Sequence, residues 1–575
     1  MGGFFFVSKQ SNPAYENELK TGREQFALGG FNKPITFDFP LFIIDYYPKI
    51  MQSAHQYVRF ASGDFIFATG AFFYGGRSGE EALKAFHSVE DSLRALESTH
   101  GHFAVVLRKN GRTILLTDPL GAYQVFYTRE LQCVTTSFLA AAAATATRTI
   151  QGLETYEYVF NGVTLGNATP FREVLRLDVS EWMQLDPVIS ITAATRSLLP
   201  PEDQAPFNQL VSRNLERLLA YVKTIAPLFA DNIRLALSGG YDSRLLLALF
   251  RRAGLSPRLF VYGLDTDADV RLAKHIATSE MMHLDHIDKS VPRSMDPAAY
   301  VATINTNFHS EDGLHPEGIF GGGAELAARC ARSACGALHV SGGGGEIYRN
   351  FFYLFDRPLT PRAFVKVFYS GFDPAQCSPF FSARQYQQSV ESKIARLVVP
   401  IRNRLSRRQV ELLYPFFRCQ SWFGRDISIN NRWGYSIYPF LDHKIVDEGL
   451  RVPIRYKHFG NFESALIRAA DPVLAGYPSN YGHDFARSAP PWAAVNWAVQ
   501  YARPPWMRGR AFRIKSWLRG YEHRQVLLSA DYLRQIIDLR FPYMSQFFRL
   551  SDVQSSAHFA RICTLEYLYH RLSAR

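Results

Sequence analysis

The stretch RLALSGGYDSRLLLALF, residues 234–250, constrains the fold of this chain more than any other. A short apolar run is cut by Ser238-Gly239-Gly240. A second apolar run with helical spacing follows, stops at Gly254, and gives way to another apolar segment, RLFVYG, at 258–263. Strand, glycine turn, helix and strand in such a short span make a βαβ unit, which requires a parallel sheet because both strands run the same way. ALHVSGGGGE, residues 337–346, repeats the strand-to-glycine pattern. Two glycine turns are therefore expected at the carboxyl edge of one sheet, where open α/β sheets take ligands.

Glycines in such a turn let backbone N–H groups approach phosphate oxygens, and the helix that follows adds the partial positive charge of its amino end. Asp242 and Ser243 fall in the first helical turn. A carboxylate there competes with phosphate unless a Mg²⁺ ligated by both lies between them, so the spacing points to a triphosphate site that releases pyrophosphate. The GxxxxGK[ST] loop, whose lysine reaches the β- and γ-phosphates, does not occur in the sequence. The alternative is a tight turn in which Asp242 merely caps the helix.

The first 190 or so residues have a different texture. HFAVVLRKNGRTILLTD, 102–118, is two apolar runs around Asn110-Gly111, the dipeptide suited to a type I′ hairpin because both positions need positive φ. Helical stretches near 80–98 and 137–147 would cover such sheets, giving a helix-flanked antiparallel sandwich. The proline-rich RSLLPPEDQAPFNQ, 196–209, reads as a linker, and the last 180 residues as mainly helical.

The chain's 575 residues favour two to four domains, and 64 Lys and Arg against 52 Asp and Glu make acidic partners plausible. Basic residues are densest in RPPWMRGRAFRIKSWLRGYEHR, 503–524. No RNP, zinc-finger or KH signature accompanies them, so partner docking or a solvated helix face is expected there rather than nucleic acid. The six scattered cysteines contain no CxxC, and no apolar run of 18 residues or secretory signal pattern is present, which predicts a cytoplasmic protein without a membrane span. The Met-Gly start is not a myristoylation site, because Phe6 stands where Ser or Thr is needed.

SGGYDS resembles the SGGxDS pyrophosphate loop of the ATP pyrophosphatases, and its companions resemble the asparagine synthetase family. DPLGAYQVFY (118–127) is similar to the Asp-Pro-Leu-Gly stretch of that family's amino-terminal domain. VSGGGGEIYRNFF (340–352) is similar to its second glycine turn, and YPFLDHKIVDEGLRVPIRYK (438–457) to its Pro-Phe-Leu-Asp segment and the Pro-x-x-x-Lys beyond. The motifs occur in family order across most of residues 100–490.

The resemblance implies an α+β, glutaminase-like (Ntn-type) sandwich over residues 1–200, followed over 205–575 by an α/β ATP pyrophosphatase domain with a parallel sheet and a helical carboxy-terminal part. It implies ATP-dependent amide formation: a carboxylate attacks the α-phosphate, pyrophosphate leaves with Mg²⁺, and an amine attacks the acyl-adenylate. Ser238, Gly239, Gly240, Asp242 and Ser243 would hold pyrophosphate, and Gly343 and Gly344 would form the second turn. Glu346 would join Asp242 on the metal, in a register that fits two alignments one residue apart. Val261, Tyr262 and Gly263 would contact adenine through backbone groups. Lys457 would neutralise the leaving pyrophosphate, the alternative being a lysine lying over a helix surface.

The sequence departs from the family at two places. Glutamine-dependent members carry a cysteine nucleophile at residue 2; here Gly2 and Gly3 stand there, and the first cysteine is Cys133. Glutamine is therefore not expected to be the nitrogen donor. The acidic residue four positions before Pro439 is Tyr435, and the basic residue expected further on is represented only by His483. Both are catalytic candidates, with Tyr348 behind them. Members lacking the cysteine resemble lasso peptide cyclases or β-lactam-forming synthetases. The aromatic content and basic balance favour the former, which join an Asp or Glu side chain of a core peptide to its α-amine and work with a leader peptidase and a leader-binding protein. A small-molecule amide ligase and an inactive nucleotide-binding scaffold remain as alternatives.

Overall fold

The computed structural model describes residues 2–52, 56–179, 181–193, 198–230, 232–290, 292, 294–398, 404–504, 507–508 and 525–573. Most of the Arg-rich stretch at 503–524 lies outside the described residues.

The chain is mixed α/β. Two antiparallel six-stranded sheets occupy its first 193 residues. The first runs in the order Val174–Arg176, Phe126–Thr128, Cys133–Thr135, Gly3–Ser8, Phe42–Tyr47, Ile35–Asp38. In GFFFVS the strand alternation separates two faces although every residue is buried. Phe4 and Phe6 turn toward the second sheet, with Phe4 6.0 Å from Phe67. Phe5 and Val7 turn to the helices Tyr15–Leu28 and Phe138–Ala144. The second sheet contains the hairpin Phe103–Lys109 and Arg112–Thr117, where Asn110 and Gly111 have φ of +52° and +77°, as the type I′ reading requires.

Residues 233–437 supply a parallel five-stranded sheet in the order Leu284–Ile287, Arg258–Tyr262, Ile233–Ala236, Leu338–Val340, Tyr435–Ile437. The first three strands build outward in one direction and the last two in the other. The order therefore reverses between Ile233–Ala236 and Leu338–Val340, and a crevice must open beyond their carboxyl ends. The two glycine turns begin at that point, one on each side.

The antiparallel and parallel parts share a polar seam. Lys49 Nζ donates to the carbonyls of Asn431 and Gly434, both at 2.7 Å. His100 Nδ1 is 2.9 Å from the Asp442 carboxylate, and Asp312 accepts from Phe138 N at 2.7 Å while lying 2.9 Å from Arg432. Much of this seam is carried by the helix Gln420–Trp433, which is preceded by a π-helical turn at Tyr414–Cys419. Among the described residues no helix is long and apolar enough to cross a membrane.

Candidate active site

The two glycine turns meet because neither carries side chains where they touch. A Cβ on Gly342 would lie 3.1 Å from Ser243 N, and one on Gly345 would lie 2.3 Å from Asp242 Oδ1. Gly343 is held as closely by Phe423, and Gly344, at φ +97°, by Leu441. The turns thus pack backbone against backbone and place Ser238, Asp242, Ser243, Gly342, Gly343 and Glu346 around one cavity of about 280 Å³. Val261 and Tyr262 line it from the neighbouring strand. Gly263 is not among the lining residues: its carbonyl lies 2.8 Å from His286 Nε2, and its φ of +133° sets a turn closed by Asp267.

The SGGYDS turn is braced internally. Ser238 N donates to Ser243 Oγ at 2.9 Å and Gly240 N to Ser238 Oγ at 3.3 Å. Gly239 N donates to Asp269 Oδ1 at 2.8 Å, so a carboxylate oxygen from the next helix sits where an anionic ligand oxygen would. The helix Tyr241–Arg252 starts at Gly240 with no side chain capping it. Its orphan N–H groups face the turn, the arrangement that favours anions. Asp242 is therefore not its cap; it leaves the helix sideways.

Asp242 runs to Arg349, whose Nη2 lies 2.8 and 3.1 Å from the two carboxylate oxygens. The same nitrogen is 3.5 Å from Glu346, and Arg349 Nε is 2.8 Å from Glu463. Tyr414 Oη, from the π-helical turn, donates to Glu346. Burial raises the Asp242 carboxyl above the usual range, Arg349 opposes that, and Glu346 adds to it. Burial, then the Asp242 charge, holds Glu463 far above its usual range. Burial works against the charge on Arg349, but Asp242, Glu463 and Glu346 together secure it. Arg349 lies within the second glycine motif but was not singled out, and Glu463, Tyr414 and Asp269 lie outside every motif because each comes from a different element; of the four, only Asp269 lines the cavity itself.

The chemistry of this donor set fits Mg²⁺. Mg²⁺ is commonly bound by one or two carboxylates together with waters and substrate phosphates, and Asp242 and Glu346 are hard oxygen donors on the same cavity. Among the described residues no three His, Cys, Asp or Glu side chains form a ready-made metal cage, so phosphate oxygens would have to complete the coordination. The Arg349 guanidinium is the cation these carboxylates hold.

The remaining sequence candidates part company. Lys457 is buried behind the carboxylates, lining a second cavity of about 180 Å³ with Tyr241, Glu346, Arg349 and Trp497. Its Nζ is 3.4 Å from Glu411, and burial lowers its pKa, so it is a buried ion-pair partner and not a lysine on a helix surface. Tyr435 does not reach the site. It begins its strand, at the edge of the parallel sheet opposite the glycine turns, and its buried ring packs on Phe229 at 5.0 Å and under Lys49 at 4.9 Å. Burial also raises its phenol pKa, which removes it as a proton acceptor. His483 lines neither cavity: its Nδ1 is 2.6 Å from Asp484 O, and its ring stands edge-on to Phe485 and Trp492. Tyr348 is fully buried against Phe440 and Phe462. The sequence offset that singled out Tyr435 counted back from Pro439 and crossed a whole strand, which carries a side chain from one sheet edge to the other.

Position 2 is filled. A Cβ on Gly2 would lie 2.3 Å from the Phe31 ring and 2.8 Å from Pro48 O, so no side chain nucleophile fits there. Cys133 is fully buried, and burial followed by the Glu18 charge pushes its thiol well above the usual range.

No family model and no curated protein matches the chain. Among solved structures it is similar to glutamine phosphoribosylpyrophosphate amidotransferase from B. subtilis complexed with ADP and GMP, at TM-score 0.24 and 9% identity over 50% of this chain and 66% of that one. It is similar at the same TM-score and identity to a structure titled as the allosteric regulatory enzyme of purine biosynthesis, over 51% of this chain and 82% of that one. The chain spans just under two thirds of the first neighbour's length. Likenesses at this level carry no argument about activity.

Proposed function

We propose that the protein is an AMP-forming, ATP-dependent amide ligase, most closely a macrolactam synthetase of the lasso peptide kind. The observation that carries this reading is the convergence of SGGYDS and SGGGGE at the sheet's switch point, with Asp242 and Glu346 on one cavity. In this reading the uncapped amino end of Tyr241–Arg252 takes the β- and γ-phosphates, joined by Gly239 N once a phosphate oxygen displaces Asp269 from it, and Val261 and Tyr262 flank the base. Asp242 and Glu346 would hold Mg²⁺, which neutralises the phosphates as pyrophosphate forms. The substrate carboxylate oxygen attacks the α-phosphorus and pyrophosphate leaves. The amine nitrogen then attacks the acyl carbon, AMP leaves, and the nitrogen gives up a proton.

The amine has to come from outside the amino-terminal part, because Gly2 leaves no room for a glutamine-cleaving nucleophile. A cavity of about 480 Å³ walled by Gly318, Gly321, Gly322 and Gly323 supports a bulky substrate. It adjoins the nucleotide cavity through Lys289, whose Nζ lies 3.6 Å over the Tyr262 ring and 2.5 Å from Glu325. A volume in this range suits a ligand larger than an ammonia molecule. An amide ligase of small-molecule metabolism, including a β-lactam-forming one, uses the same adenylate chemistry and is the second reading.

The test offers Mg²⁺·ATP with peptides that carry a free α-amine and an Asp or Glu side chain, and follows AMP, pyrophosphate and loss of water by mass spectrometry. AMP and pyrophosphate release that vanishes in Asp242→Ala is the expected result. Release of ADP and phosphate, or no nucleotide turnover with any carboxylic acid offered, refutes the proposal.

A further inference from the structure

The carboxylates around Arg349 carry one more step, which rests on the nucleotide reading of this site. The Arg349 side chain is 15% exposed, and its guanidinium lies 5.1 Å over the Tyr241 ring. Nη1 donates to Tyr481 Oη at 3.0 Å, while Nη2 takes both Asp242 oxygens and approaches Glu346. Nε lies 2.8 Å from Glu463 Oε2, but neither that nitrogen nor either Glu463 oxygen makes a well-formed hydrogen bond, and the Glu463 side chain has no exposed surface. One guanidinium thus faces three acidic side chains. The other nearby cation, Lys457, is turned to Glu411, and Tyr414 reaches Glu346 only as a neutral donor.

Both Asp242 oxygens accept from Arg349, and a divalent ion at Asp242 and Glu346 would meet a unit positive charge a few ångströms away. We propose that Arg349 is the resident cation of the site. It holds Asp242 and Glu346 together in the absence of nucleotide and keeps a bare divalent ion out. The metal enters only with a triphosphate, whose oxygens offset the guanidinium charge and supply the missing ligands. Arg349 is in this sense a positioning residue that orders metal entry with nucleotide, so the pyrophosphate-releasing site is never loaded with metal alone.

The experiment uses Mn²⁺ as the probe on the full chain, following depletion of its free electron paramagnetic resonance signal. With ATP present the native chain is expected to deplete free Mn²⁺ beyond what the same ATP does in a protein-free control, and without ATP to deplete none. Arg349→Met should bind Mn²⁺ alone at least about tenfold more tightly, the change a unit charge near a divalent ion makes even with water-like screening. Arg349→Lys should behave as the native chain does. Arg349→Met combined with Glu463→Gln, which puts a neutral amide at the buried position that Arg349 faced, serves if the single variant does not fold by thermal melting. If the folded Arg349→Met or double variant binds lone Mn²⁺ no better than the native chain, the resident-cation role is overturned while the nucleotide reading stands. It is equally overturned if the native chain binds Mn²⁺ as tightly without ATP as with it. If the native chain depletes no more Mn²⁺ than the protein-free ATP control and gives no calorimetric heat with ATP, the nucleotide reading falls first and this inference with it.

Discussion

Gly345→Ala is the substitution that most directly tests whether the two glycine turns make one site. The added methyl would stand 2.3 Å from Asp242 Oδ1, 2.6 Å from its Cγ and 2.8 Å from its Cβ. Ordinary contacts begin about 1 Å further out, so something must move by roughly that amount. Asp242 has little freedom to yield: it sits in the first turn of Tyr241–Arg252 and is bound through both oxygens to Arg349. Overpacking of this kind costs about 1–3 kcal/mol. A displacement near 1 Å of a ligand-holding group costs on the order of a hundredfold in function. We therefore expect Gly345→Ala to lower the melting temperature modestly and to weaken calorimetric binding of Mg²⁺·ATP far more than that loss explains. Gly321→Ala is the control, because a Cβ there meets nothing within 4 Å. It should change stability by no more than about 0.5 kcal/mol and leave ATP binding alone. Unchanged melting and unchanged ATP affinity in Gly345→Ala would mean that the turns do not touch, and the argument for a shared site would fail.

Tyr435→Phe should leave nucleotide turnover at the native rate, since its ring lies at the far edge of the sheet; a loss of a hundredfold or more in turnover with unchanged melting would restore it to the chemistry. Asp442 accepts from Lys444 N at 3.1 Å and pairs with His100, which draws its pKa down from 3.8 to about 2 against the opposing effect of burial. A folded-state pKa below the unfolded one stabilises above the unfolded pKa and fades as pH falls through the folded one. Asp442→Asn should therefore lose about 2 kcal/mol at neutral pH, with the gap to the native chain closing between pH 4 and 2 in denaturant melts. An unchanged gap at pH 2 would show that the loss comes from something other than the charge.

The local pattern was legible wherever one element could carry the whole signal. Apolar runs broken by glycine marked Ile233–Ala236 and Leu338–Val340 as parallel strands, and Asn110-Gly111 marked a hairpin, because strand period and positive φ are written in neighbouring residues. The motif residues were harder to read. Asp118 of DPLG accepts from Leu120, Ala122 and Tyr123 N, and Asp442 of PFLD caps the helix His443–Arg451 and ties it to His100. Both hold turns and seams, and neither is among the residues lining the cavity between the glycine turns.

By itself the sequence determined that this chain contains a parallel sheet, two glycine turns at its carboxyl edge and no cysteine at residue 2, since each follows from residues adjacent along the chain. Only the tertiary structure decided which carboxylates share the cavity, that Arg349 and Glu463 join them, and that Tyr435 and His483 do not. The physical reason is that a strand or helix carries its residues several ångströms along its axis, so spacing in sequence says which element a side chain rides on but not which edge of the sheet it reaches. Charge balance in a buried cluster is likewise a sum over elements that meet only on folding, here the helices Tyr241–Arg252 and Asn461–Ala470 and the turn beyond Val340.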